Sequence, residues 1–137
     1  MRARWLADAK APGLNEIEAL ALDAFARLPA EFRALCAGVR IVVEDFPDSE
    51  TLAEMRCESE FDLLGLFRGI GLAQSGEVVT GQMPNAVWLY RRPLLDYWAE
   101  YDETLGHLVT HVLVHEIGHH FGLSDADMEA LEAAADA

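Results

Sequence analysis

His115-Glu116-Ile117-Gly118-His119-His120-Phe121-Gly122-Leu123-Ser124-Asp125 is the stretch on which the reading of this chain turns. The segment leading into it places Leu105, Leu108, Val109, Val112, Leu113, Val114, Ile117 and Phe121 almost all around a helix. A helix that is apolar on every side is a buried central one rather than an amphipathic surface one. Yet this interior rod carries histidines and a glutamate. Buried ionisable groups are costly unless something compensates them. A bound metal ion is the simplest compensation.

Helix geometry sharpens that expectation. At about 100° and about 1.5 Å per residue, His115 and His119 stand on one face about 6 Å apart. Two imidazoles on that face can converge on one tetrahedral ion. Glu116 lies about 100° around from His115, too far to be a natural third ligand. It is placed to reach a water on the ion and to take its proton during attack on a carbonyl. Gly118 leaves room beside the site and costs helix stability relative to alanine, about 1 kcal/mol.

Gly122 follows His119 by three residues. Glycine enters the left-handed region without a Cβ penalty and is the expected residue just past a helix end. A reversal there would bring Asp125 back as the third ligand. The competing role for Asp125 is a helix cap, since Ser124 or Asp125 can cap a last helix over Asp127 to Ala135. The roles are compatible if Ser124 does the capping. His107, His111, His115 and His119 are each four apart and form a drifting stripe. His111 is expected as a neighbour of the ligands or a lining residue rather than a ligand, and His107 lies a turn further off. His120 should face elsewhere.

Composition bounds the remainder. The chain of 137 residues has room for one domain and one core. Its net charge of −14 disfavours nucleic acid and anionic lipid as partners. No apolar run approaches the ~18 residues of a membrane span. Met1 to Lys10 carries basic residues with no apolar stretch behind them, so no secretory signal is expected and the cytoplasm is the expected compartment. Cys36 and Cys57 suit reduced thiols there and lack a zinc spacing.

Residues 1–14 read as a flexible leader and residues 15–137 as the domain. Asn15 is expected to cap a helix carrying Ile17, Leu20, Leu22 and Phe25, with a short second helix from Glu31 to Cys36 after Pro29. Val39 to Phe46 reads as a strand. Asp48 starts a short helix, Phe61 to Ile70 reads as a second strand, and Ala86 to Arg91 as a third. Pro93 suits the first turn of a helix from about Leu94 to Tyr101. The polar, glycine-bearing segment 71–85 is the candidate lip over a cleft. Elements that do not strictly alternate argue an α+β fold. An extended substrate would need a strand edge beside the metal. Either 86–91 or 63–68 can supply it, and the sequence does not choose. Tyr90, Tyr97 and Tyr101 are conceivable polarisers of an oxyanion, though packing is their default role. Arg91 and Arg92 are either near a binding edge or simply solvated.

The 115–125 run resembles the metzincin-type zincin signature with aspartate in the third position. Residues 86–95 and 39–46 resemble the small bacterial minimal-zincin family, and the resemblance extends over most of residues 15–132. It implies a compact single-domain α+β fold, a small mixed sheet packed on helices with a buried active-site helix, and zinc peptidase activity with one Zn2+. Its matching positions give His115, His119 and Asp125 as metal ligands and Glu116 as the catalytic base. The given sequence ends at residue 137, soon after Asp125. The lower subdomain and methionine turn of larger metzincins are therefore not expected, and Met128 is not assigned that turn's role. Peptides or unfolded proteins are the expected substrates. The alternative is a metal-binding interaction or regulatory domain with little or no turnover.

Overall fold

The computed structural model describes residues 3–69 and 85–136. Near its start a four-residue helix α1 (Arg4–Ala7) carries no buried residue. Helix α2 (Leu14–Ala26) begins one residue before Asn15. Gly13 takes the N-cap position instead, and its N–H donates to Glu16 Oε1 at 2.8 Å. Helix α3 (Ala30–Leu35) follows Pro29, whose fixed φ suits a helix entry.

Strand β1 (Arg40–Glu44) is the middle of the expected 39–46 segment. Helix α4 (Ser49–Glu54) starts at Asp48, whose carboxylate accepts from the Thr51 N–H at 2.7 Å. That bond holds the Asp48 carboxyl below its ordinary pKa. Strand β2 (Gly65–Arg68) is shorter than expected. Asp62 explains why: its Oδ2 accepts from the N–H groups of Glu58 and Ser59, at 3.0 and 2.9 Å, and folds the chain into a turn. Segment 71–85 lies outside the described residues except for Asn85. Strand β3 (Ala86–Tyr90) passes directly into helix α5 (Arg91–Glu100), which holds Pro93 in its first turn.

The sheet order is β1-β3-β2, with β1 parallel and β2 antiparallel to β3. Central β3 puts Val87 opposite both Ile41 and Phe67. Helix α6 (Leu105–His120) is the expected interior rod. Thr104 caps it by accepting from the His107 N–H at 3.1 Å. One end places Leu105, Leu108, Val109 and Val112 against Ile17, Ala21, Leu89 and Leu94. The other places Leu113, Val114 and Ile117 against Leu28, Phe32, Val87 and Met128. Both halves of the core thus meet on one helix, which fixes its axial position and its rotation. The last helix, α7 (Asp125–Asp136), packs back along it. The result is an α+β domain with a small mixed sheet on helices. Among the described residues no helix is long and apolar enough to cross a membrane.

Candidate metal centre

Gly122 turns the chain between α6 and α7. Its φ is +74°, where only glycine sits without strain. The Leu123 N–H donates to the Gly118 carbonyl at 2.9 Å and the Gly122 N–H to the His119 carbonyl at 3.1 Å. This crossed pair satisfies the last carbonyls of α6 and sends the chain back. Ser124 then caps α7 reciprocally with Asp127: its Oγ accepts from the Asp127 N–H at 3.1 Å, and its N–H donates to Asp127 Oδ2 at 3.2 Å. Asp125 is therefore not used as the cap. Its side chain is exposed at the start of α7.

Close approach of the two helices depends on Gly118. A Cβ there would lie 2.6 Å from Met128 Sδ and 2.9 Å from its Cγ. The room expected beside the site is thus taken up by the methionine of α7. The pairing is antiparallel, since successive contacts run in opposite directions along the chain: Gly118 with Met128, His115 and His111 with Glu132, and His107 with Asp136.

His115 and His119 have ring centroids 5.7 Å apart and perpendicular planes. Zinc–nitrogen bonds of about 2.0–2.1 Å put the centroids of two imidazoles sharing an ion about 5–6 Å apart, so this spacing is compatible with a shared ion, while His115 Nε2 itself is turned toward Glu132. Glu116 is half-buried on the same helix. Burial pushes its carboxyl pKa up, while His119 and a hydrogen bond from the Phe67 backbone pull it back. Glu116 thus lies beside β2, against which its helix packs. Because β3 is paired on both sides, 86–91 is excluded as a substrate edge, and β2 is an outer strand of the sheet among the described residues. His120 turns away from the pair, as its helical angle requires, and stacks on Phe67 with centroids 3.9 Å apart.

The carboxylate brought among the histidines is Glu132. Its Oε1 lies 2.6 Å from His111 Nδ1 and its Oε2 3.2 Å from His115 Nε2. The three residues offer donor atoms all within 4.8 Å of one another. Among the described residues this is the group that could hold a metal ion, and neither His119 nor Asp125 is part of it. Sequence reasoning placed His111 near the ligands but missed Glu132. The available signal was the four-residue spacing of Glu132 and Asp136, which matches the histidine stripe once the two helices form a hairpin.

Other candidates resolve into structural roles. Tyr90 is buried, and that burial pushes its phenol pKa up to about 12. Tyr97 and Tyr101 lie against each other, centroids 4.3 Å apart. Arg91 donates to the Pro12 carbonyl and pairs with Asp45 at 3.0 Å, tying the chain before α2 to the sheet. Arg92 stands over the Phe46 ring. Both cysteines are free, and burial pushes the Cys36 thiol pKa up to about 11.

The family model for zincin-like metallopeptidases matches residues 36–135, which cover all three strands, α6 and all but the last residue of α7, and the chain belongs to that family. No curated protein matches it.

Proposed function

From membership of the zincin-like metallopeptidases we propose that this chain is a zinc-dependent peptidase acting on small or unfolded chains. One observation supports the reading: Glu116, half-buried with a raised pKa, feels both His119 of its own helix and the Phe67 backbone of the outer strand β2. His115 and His119 would hold one zinc ion, with Asp125 as the third ligand supplied from the start of α7. When bound, zinc supplies Lewis acidity and lowers the pKa of water to about 7.

The chain's own groups do the rest. The outer side of β2 would align an extended substrate by strand addition. A Glu116 side-chain oxygen takes the proton from the attacking water and passes it to the leaving amine nitrogen. A carboxyl raised by burial suits both transfers, because its affinity for the proton lies nearer the working pH.

The test is digestion of an unstructured peptide library by the zinc-loaded chain and its Glu116→Gln variant. Cleavage by the wild type, lost in a variant that still binds zinc, is the expected result. Equal cleavage by both removes Glu116 from the chemistry. No cleavage by a zinc-loaded wild type favours a metal-binding regulatory domain.

A further inference from the structure

We propose that His111, His115 and Glu132 form a second seat for a divalent transition-metal ion, one helical turn from the His115–His119 pair, and that the two seats share His115. The proposal rests on the peptidase reading only in taking His115 and His119 as ligands of the first seat.

Glu132 is 8% exposed, so its carboxylate is largely out of water. Its neighbours are two imidazoles, at 2.6 and 3.2 Å, and no lysine or arginine of the described residues pairs with it. An imidazole satisfies the carboxylate's lone pairs by donating an N–H but compensates its charge only when protonated. A cation among the three donors compensates it, and requires only that the two ring nitrogens present lone pairs instead of protons. Two imidazole nitrogens and a carboxylate suit zinc, cobalt or nickel, whereas calcium and magnesium favour all-oxygen shells.

The seats exclude each other. A neutral imidazole presents one lone pair, on one ring nitrogen, and His115 Nε2 is the atom turned toward Glu132. An ion held by His111, His115 and Glu132 therefore leaves His119 and Asp125 without His115. Such an ion is held between the stripe and Glu132 of α7, away from His119 along α6. The second seat would thus store the ion where it does not serve hydrolysis.

Zinc alone is the probe, titrated calorimetrically into the full chain with the bound metal counted by elemental analysis. His119 and Asp125 are both exposed, so the variant carrying His119→Ala and Asp125→Ala should keep its fold, as circular dichroism checks. His119→Gln alone serves in its place if it does not. The variant is expected to retain one equivalent of zinc. Adding Glu132→Gln and His111→Ala to it should then weaken binding at least tenfold, while magnesium shows no heat with either. No zinc on the His119/Asp125 variant overturns the second seat, and so does zinc that persists after Glu132 and His111 are replaced. Zinc-dependent cleavage by the wild type, alongside no zinc on that variant, overturns this seat and leaves the peptidase reading standing. Zinc on the variant without any Glu116-dependent cleavage does the reverse.

Discussion

His115 Nε2 stands 3.2 Å from Glu132 Oε2, so the first histidine of the His-Glu-x-x-His run is held by a carboxylate from the following helix. The other oxygen of the same group reaches His111 at 2.6 Å. One largely buried carboxylate therefore fixes two imidazoles a turn apart and ties α7 to α6 in a single register. Removing it leaves both rings without this acceptor. Glu132→Ala in the metal-free chain should cost about 1–2 kcal/mol, the net worth of its two hydrogen bonds, because His111 and His115 both reach water once it is gone. Urea denaturation monitored by circular dichroism measures this. A loss within the ~0.5 kcal/mol typical of surface substitutions would show that the two contacts contribute nothing to the fold.

Glu116 works against the fold when no metal is present. Burial raises its pKa above the ordinary 4.5. Between that value and the raised one, the folded chain binds more protons than the unfolded chain. Stability therefore falls as pH rises through this window. Glu116→Gln removes the titration. For metal-free protein, the melting temperature of the variant should match the wild type below pH 4.5 and exceed it increasingly as pH rises through the window. A wild-type advantage at neutral pH would mean that the ionised carboxylate is stabilised where it stands.

The helix carrying the motif was legible because its apolar residues surround it and its polar stripe repeats every four residues. Gly122 marked the reversal, since its backbone conformation excludes other residues. The sheet was legible only in outline. Its middle strand reads like any other, and the outer position of β2 among the described strands comes from pairing that no local pattern encodes. Nor does local pattern announce Asp62, which bends the segment before β2 and shortens the strand. Glu132 stayed hidden for a related reason. It lies thirteen positions beyond His119 and meets the stripe only through the helix hairpin, so its role belongs to tertiary packing.

Gly118→Ala sets helix propensity against packing. Alanine improves an exposed helix interior by about 1 kcal/mol over glycine. Here its Cβ would fall 2.6 Å from Met128 Sδ, and Met128 is fully buried. Overpacking of this kind typically costs about 1–3 kcal/mol, so the net change should be destabilising. Pairing the change with Met128→Ala relieves the clash, and the double variant should lose less than the sum of the two single losses. A double-mutant cycle from denaturation curves reads the difference. Additive losses would mean that the two side chains do not meet.

Zinc should stabilise the native chain, because an ion that binds the folded state adds its binding free energy to folding. At a free concentration a hundred times the dissociation constant the gain is about 2.7 kcal/mol. For a domain of this size that is a rise in melting temperature of roughly 10 °C. His115 belongs to both histidine pairs, so His115→Ala should abolish the shift. His120 is the control: it lies in the same motif but its ring stacks on Phe67, so His120→Ala should lower the melting temperature yet keep the zinc-dependent rise. Scanning calorimetry with zinc and with chelator separates the cases. Equal melting temperatures for the wild type in both conditions would mean that the folded chain does not assemble a zinc site, whatever its sequence spells.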